Sequence, residues 1–309
     1  MSALILALNP SIDTEWRVDN VLWEEKNNVH SERRWAGGKG INVARWLKHL
    51  GGVPHLLLPL GGKTGDELTR YLRAERIPAT IVRLREPTRV NVIITTSVGR
   101  QMRFNPLGPK LSRTEWREVL KSVVGSARRA DRTPQRGVPT FRNRFNLLIL
   151  SGSLPRGVPV TAYAQLIRLA RRFGVRTLLD CDGPAFAAAI KARPFLVKPN
   201  EHELAQWWRT PLHSETEILR AARALSAQTR GWVLVSRGAK RGLLVNHAEG
   251  FEFFAMPPRV KPRNTVGAGD ALLAAVARQI GLGKAPENWL RFGLKIGSAA
   301  TQRLAGQLR

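Results

Sequence analysis

The chain has 309 residues, enough to bury a large apolar core, and its 43% hydrophobic content places it among ordinary globular proteins. Fifty Lys and Arg against 23 Asp and Glu leave a formal charge of +27, a field that attracts anions. No apolar run approaches the roughly 20 residues that span a bilayer, no basic leader precedes the first apolar stretch, and the single cysteine, Cys181, excludes an internal disulfide. A cytoplasmic protein with no membrane partner is expected.

In chain order, a strand is predicted at residues 4–8, followed at 13–35 by β-favouring residues without a helix. A glycine run then opens a helix at 40–50, and a strand at 55–60 leads to a helix at 65–75 with a Thr64 and Glu67 capping box. A second helix-free β segment covers 89–104. These two stretches read as antiparallel strands of a small sheet that projects over the site as a lid. A helix at 114–127 carries a Ser112 and Glu115 cap, and a basic stretch at about 128–144 fits neither period and reads as a loop insertion. Beyond it come strands at 147–151, 177–180, 196–198 and 232–236, with helices at 160–173, 215–228 (capped by Ser214 and Glu217) and 271–281. Strands alternating with helices indicate a mainly parallel sheet covered on both faces.

The strongest chemical signal is Asn264-Thr-Val-Gly-Ala-Gly-Asp270, a glycine turn running into a helix. Backbone N–H groups of Gly267, Ala268 and Gly269 at a helix N-terminus form an anion hole. A carboxylate beside it would repel a bound phosphate, so Asp270 reads as a base that takes the proton of a hydroxyl attacking a γ-phosphate. The second signal is Ala36-Gly-Gly-Lys-Gly-Ile-Asn-Val-Ala-Arg45, whose glycines admit a ligand close to the backbone while Lys39 and Asn42 can bond sugar hydroxyls. Neither run has the spacing of a P-loop or of a dinucleotide fingerprint. The six histidines show no zinc spacing. Trp46, Trp116 and Trp208 read as packing residues. The arginines are scattered over helix faces without a nucleic-acid-binding signature, so no specific nucleic-acid partner is expected.

The two glycine motifs, in this order, resemble the two signatures of the PfkB (ribokinase-like) carbohydrate kinase family. Blocks between them resemble the family in order: Asn9-Pro-Ser-Ile-Asp13, Gly61-Gly-Lys-Thr-Gly-Asp66, Thr88-Arg-Val-Asn91, Ser151-Gly-Ser-Leu-Pro155, Leu179-Asp-Cys-Asp-Gly183, Val197-Lys-Pro-Asn-Glu-His-Glu-Leu204 and Ser236-Arg-Gly-Ala-Lys-Arg-Gly242. The pattern is nearest the sugar-phosphate branch of phosphofructokinases and tagatose-6-phosphate kinase. The resemblance implies one ribokinase-like domain over 1–309, a three-layer α/β/α sandwich with a small antiparallel β lid. It implies an ATP-dependent kinase of a phosphorylated ketohexose, such as fructose 1-phosphate, fructose 6-phosphate or tagatose 6-phosphate, using Mg²⁺ and a monovalent cation such as K⁺, with homodimerisation through the lid.

Residue by residue, the resemblance assigns Asp13, Gly38, Lys39, Asn42 and Ser151 to the sugar, with Lys26, Arg89 and Arg103 as cations for its phosphate. Lys198, Asn200, Ser236, Gly238 and Thr265 fall to the nucleotide, and Asn200 and Glu203 organise Mg²⁺ through water. Two departures stand out. Arg237 replaces an apolar residue, and Gly297 to Thr301, which resembles the start of the adenine-side helical region, lies eight residues from the end, leaving adenine or monovalent-cation binding open to different residues. Two alternatives remain at this point: a kinase of an unphosphorylated sugar or nucleoside, and a degenerate kinase fold that works as a basic polyanion-binding or regulatory protein.

Overall fold

Strand β1 (Ser2–Leu6) sends Leu4 and Leu6 into one apolar cluster and Ala3 and Ile5 into another, so the sheet it belongs to is buried on both faces. The structure is a computed structural model that describes residues 1–129, 142–143 and 145–303. The chain continues through β2 (Ser11–Val18), β3 (Ser31–Gly37), α1 (Lys39–His49), β4 (Val53–Gly61), α2 (Gly62–Ala74), β5 (Ala79–Leu84), β6 (Arg89–Thr96), β7 (Gln101–Phe104) and α3 (Arg113–Ala127). Two short strands, β8 (Arg128–Arg129) and β9 (Arg142–Asn143), pair with each other. The rest of the predicted insertion, 130–141 and 144, lies outside the described residues. Then follow β10 (Leu147–Ser151), α4 (Ala162–Arg172), β11 (Arg176–Asp180), α5 (Gly183–Ala189), β12 (Leu196–Val197), α6 (Glu201–Trp208), α7 (Glu215–Thr229), β13 (Trp232–Val235), β14 (Gly242–Asn246), β15 (Phe251–Ala255), α8 (Ala268–Gly281) and α9 (Pro286–Thr301).

The main sheet has the order β15-β14-β13-β12-β11-β10-β1-β4-β5. Every pair from β13 to β5 is parallel, while β14 runs antiparallel to both neighbours. Alternate residues feed two cores. Leu148, Leu150, Leu179, Val197 and Val233 meet apolar residues of α3, α4, α5, α6 and α7, whereas Leu147, Ile149, Leu178, Leu196 and Leu234 meet α1, α2, α8 and α9. This is the expected three-layer sandwich, and each Leu or Ile so buried is worth roughly 1.5–3 kcal/mol relative to exposure. Trp46 and Trp116 are buried in it, as packing residues should be.

A second sheet, β3-β2-β6-β7, forms the projecting lid. Its outer pairs are antiparallel, but the central pair β2 and β6 is parallel, from Ser11 opposite Arg89 to Val18 opposite Thr96. The wholly antiparallel reading is corrected in that respect. Both strands follow parallel strands of the main sheet, β1 and β5, and so leave from the same end in the same direction.

Two predicted capping boxes form. Ser112 and Glu115 bond reciprocally ahead of α3, and Ser214 and Glu217 cap α7. The third does not. Helix α2 begins at Gly62, Thr64 Oγ1 donates to the Thr88 carbonyl at 2.6 Å, and Glu67 is gripped by Arg34 of the lid at 2.9 and 2.8 Å. Residues 297–301 end α9 and do not start a helix; their Thr301 carbonyl accepts the N–H groups of Arg263 and Asn264.

Candidate active site

Strand order reverses between β1 and β10: the chain steps outward through β4 and β5, then returns to build β10 to β13 on the other side. Ligands of open α/β sheets bind at such a switch point, beyond the carboxyl ends of the strands. A cavity of about 710 Å³ lies there. It gathers Asn9 after β1, Ser151 at the end of β10, Asp180 at the end of β11, Lys198 and Asn200 after β12, and Ser236 after β13. The lid supplies Asp13, Arg89, Asn91 and Arg103, α1 supplies Gly38, Lys39 and Asn42, and the α8 turn supplies Thr265, Gly267, Gly269 and Asp270.

Gly267 caps α8 with φ of +78°, a left-handed conformation that glycine adopts without steric cost. Gly267 and Gly269 of that turn line the cavity, whereas the Ala268 N–H bonds back to the Thr265 carbonyl at 3.4 Å. Asp270 is 5% exposed and accepts from Asn42 Nδ2 at 2.9 Å. Burial, reinforced by the nearby charge of Asp180, raises its pKa from 3.8 to about 7, while Asn42, Lys39 and Lys198 oppose the rise. A carboxyl poised there can take up a proton near neutral pH.

Asp180, absent from the expected site, is the hub of the charges around that base. It is 1% exposed and lies 3.2 Å from both Lys39 Nζ and Lys198 Nζ. Burial alone would raise its pKa, but Lys198 and Lys39 outweigh it and hold the carboxyl below its usual value. Lys39 also approaches Glu203 at 3.8 Å, and its pKa is raised chiefly by Asp180.

On the lid side, Asp13 Oδ1 accepts from Ser11 Oγ at 2.7 Å and Asn91 Nδ2 at 2.9 Å, so Oδ2 keeps its acceptor sites. Gly37 makes the room: a Cβ there would lie 2.1 Å from Asp13 Cγ. Arg89 donates to the carbonyls of Pro106 and Asn9 at 2.8 and 2.9 Å. Two of its N–H groups are thus committed, and among the described residues its buried Nε has no partner. Asn9 Oδ1, Asn91 Oδ1 and Ser151 Oγ are likewise buried without a partner, and all three residues line the cavity. Unsatisfied polar atoms around one cavity mark the seat of a polar ligand.

Asn200 and Glu203 bond each other in the capping box of α6, at 2.9 and 2.8 Å, which fixes both at the cavity wall. Three expected residues are not brought there, and Ala268, absent from the lining although both its neighbours belong to it, is the first. Lys26 lies in the exposed loop 19–30, because β2 leads away from Asp13 and the five residue steps from Asp13 to Val18 cover about 17 Å. Gly238 sits in the turn after β13, at φ +60°, outside the cavity lining. Arg237 points away, into ion pairs with Glu201 and Glu215 at 3.2 and 3.1 Å. Asn9, Asn91, Asp180, Asp182 and Ser153 line the cavity without having been singled out, although all five are polar residues within the blocks that resemble the family.

Residues 8–308 match the pfkB family carbohydrate kinase model. The chain is 32% identical to ATP-dependent 6-phosphofructokinase isozyme 2 of Escherichia coli (strain K12) over 299 residues, covering 96% of this chain and 91% of that protein. It is 30% identical to 1-phosphofructokinase of Bacillus subtilis (strain 168) over 298 residues, covering 95% and 90%. The crystal structure of phosphofructokinase-2 from Escherichia coli in complex with fructose-6-phosphate superposes with a TM-score of 0.85 at 32% identity, over 98% of this chain and 94% of that one. The fold is therefore ribokinase-like. The chain belongs to the pfkB family of carbohydrate kinases and is a phosphotransferase with a hydroxyl group as acceptor.

Proposed function

We propose that this kinase transfers the γ-phosphate of ATP to a free hydroxyl of a phosphorylated ketohexose, with Asp270 as the base. The observation that carries the reading is one cavity that holds a buried carboxyl beside a helix N-terminus, bonded by Asn42, together with the polar residues Asp13, Asn91 and Ser151 suited to a polyol. Asp13 and the asparagines accept and donate to sugar hydroxyls. Arg89, through its uncommitted N–H groups, and Arg103 take the phosphate already on the sugar, with the fork geometry that suits it.

As the hydroxyl attacks, its proton passes to Asp270, the new O–P bond forms, and the bond to the ADP oxygen breaks. Backbone N–H groups of Gly267 and Gly269 stabilise charge on the transferring group, and Lys198, whose Nζ lies 3.5 Å from where a Cβ on Gly269 would be, adds a cation to that edge. The lid strands shield the acceptor from water, which would otherwise compete for the phosphoryl group.

The donor set suits Mg²⁺ held mainly through water. Among the described residues no group of three His, Cys, Asp or Glu converges as a metal cage, and hard oxygen donors of Asn200 and Glu203 are fixed at the nucleotide side. When bound, Mg²⁺ neutralises charge on the nucleotide phosphates. Thr265, Ser236 and Lys198 line that side, and a monovalent cation such as K⁺ would sit beside the contact of 263–264 with Thr301. We place the enzyme in the cytoplasm, consistent with its one buried thiol, as a dimer through the lid. Among the described residues no helix is long and apolar enough to cross a membrane.

The test is ADP release with fructose 1-phosphate, fructose 6-phosphate, tagatose 6-phosphate and their unphosphorylated parents. Turnover with a hexose phosphate is expected, and no turnover with any of them would contradict the reading. For the substrate so found, Arg89→Ala should raise KM about tenfold or more, the loss of a charge-assisted contact of roughly 1.5–3 kcal/mol. An unchanged KM would instead favour an acceptor without a phosphate.

A further inference from the structure

We infer that Arg45 is a positioning residue for the base: it fixes the sense of the Asn42 amide so that a donor, not an acceptor, faces Asp270. The inference rests on the assignment of Asp270 as base.

An asparagine amide has two unlike ends, and half a turn about its last side-chain torsion exchanges them at little steric cost. With Nδ2 toward Asp270, as observed at 2.9 Å, the amide favours the ionised carboxylate. With Oδ1 turned there instead, two acceptors would meet, an arrangement tolerable only while Asp270 holds a proton and cannot act as base. The choice is made from behind. Arg45 Nη1 donates to Asn42 Oδ1 at 3.3 Å, and a guanidinium has no acceptor to offer, so it holds the oxygen end. Asn42 and Arg45 are three residues apart on α1 and therefore share a face.

Arg45 is in turn fixed. Its Nε and Nη2 meet Glu75 Oε2 and Oε1, both at 2.6 Å, in a side-on pair, and its side chain is 5% exposed. The Glu75 carbonyl is held by Lys48 Nζ. The path thus runs from the end of α2, through two residues of α1, to the first turn of α8. Arg45 also acts on the sugar-binding acid, since its charge lowers the Asp13 pKa against the dominant effect of burial. One buried cation therefore serves both halves of the acceptor site. The charges facing Asp270 are Asp180 from β11, Lys39 from α1 and Lys198 from the end of β12; those on Arg45 are Glu75 from α2 and Asp13 from β2.

The test uses the full chain and whichever hexose phosphate it turns over. Arg45→Met, Asn42→Ala and the double variant are compared by kcat and kcat/KM across pH. Arg45→Met should lower kcat about tenfold or more at pH 7 and move the acidic limb of kcat/KM upward by about one pH unit, with partial recovery in alkali. The KM for ATP should change less than about twofold, because the residue acts on the acceptor side. In an Asn42→Ala background, Arg45→Met should move the limb no further, because no amide is left to orient, while its effect through Asp13 remains in the KM for the sugar. An unmoved limb in Arg45→Met, or limb shifts that add as for independent residues in the double variant, would overturn the inference. Should Arg45→Met fold poorly, Arg45→Lys and Glu75→Gln carry the same limb shift in smaller measure, and an unshifted limb in both overturns it equally. Failure of the base assignment itself is separable: it appears as turnover retained by Asp270→Asn, which Arg45 variants do not address.

Discussion

An Asp270→Asn protein is expected to lose at least about a thousandfold in kcat while melting higher than the wild type at pH 8. The two effects share one cause. Asp270 is buried beside Asp180, and its pKa rises from 3.8 to about 7. A carboxyl whose folded pKa lies above its unfolded pKa binds protons more tightly in the native state, so stability falls as pH rises between those values. Below about pH 4 the group is protonated in both states and the asparagine changes little. Above pH 7 the native state must hold a charge in a dry site, a cost of roughly 4 kcal/mol if the whole shift is converted at 1.36 kcal/mol per unit. The amide removes that cost and the base together. Thermal melts of both proteins from pH 4 to 9 check the sign: the variant's advantage should open between pH 4 and 7 and then level off. A variant less stable at pH 8 than at pH 5, relative to wild type, would contradict the account.

Asp180→Asn should show the opposite stability effect, a loss of about 3–5 kcal/mol at neutral pH. It removes one carboxylate from between two ammonium groups, of which Lys198 is 5% exposed and left without a counter-charge at that position. Because its native pKa is held below the unfolded value, the wild-type Asp180 contributes stability that is present above about pH 4 and lost as pH falls through the native pKa. Urea unfolding at pH 7 and at pH 3.5 measures it, with the gap between variant and wild type closing at the lower pH. The same variant has a second readout. Asp180 raises the Asp270 pKa, so its neutralisation should move the acidic limb of kcat/KM downward. A limb that moves up would show that Asp180 does not couple to the base as its position indicates.

Much of the sandwich was legible because its signals are local. The alternation in β1 and β10 and the boxes at Ser112 and Ser214 each occupy a few consecutive residues. The edge strands β5 and β15, and β14 beside β15, were not anticipated, since 79–84 and 251–255 carry partly exposed residues and no partner strand can be read from within a short run. Glu67 shows the same limit at a helix end: its spacing from Thr64 satisfies a cap, but Arg34, 33 residues away, claims the carboxylate. In the lid, sequence gave strands without their partners, so the parallel pairing of β2 with β6 awaited the fold.

The site divides in the same way. Asp270, Gly267, Gly38 and Asn42 lie in two compact motifs whose residue types already specify an anion hole and a polyol contact. Asp180 lies in a recognised block, yet its role exists only because Lys39 and Lys198 converge on it from 141 residues before and 18 after. Arg45 closes the first glycine motif, and only Glu75, on another helix, turns it into a fixed donor behind Asn42. Lys26 illustrates the converse, a suitable charge in a suitable segment that strand geometry carries to the far tip of the lid. The +27 charge is not concentrated at the site, where the lining cations are Lys39, Arg89, Arg103 and Lys198.

The most direct test of the central claim is the pH dependence of kcat/KM for the hexose phosphate between pH 5 and 9. A buried base at Asp270 predicts an acidic limb with one ionisation near 7, falling tenfold for each pH unit below it, and no such limb in the residual activity of Asp270→Asn. A wild-type profile that stays flat down to pH 5, or the same limb persisting in the variant, would contradict it.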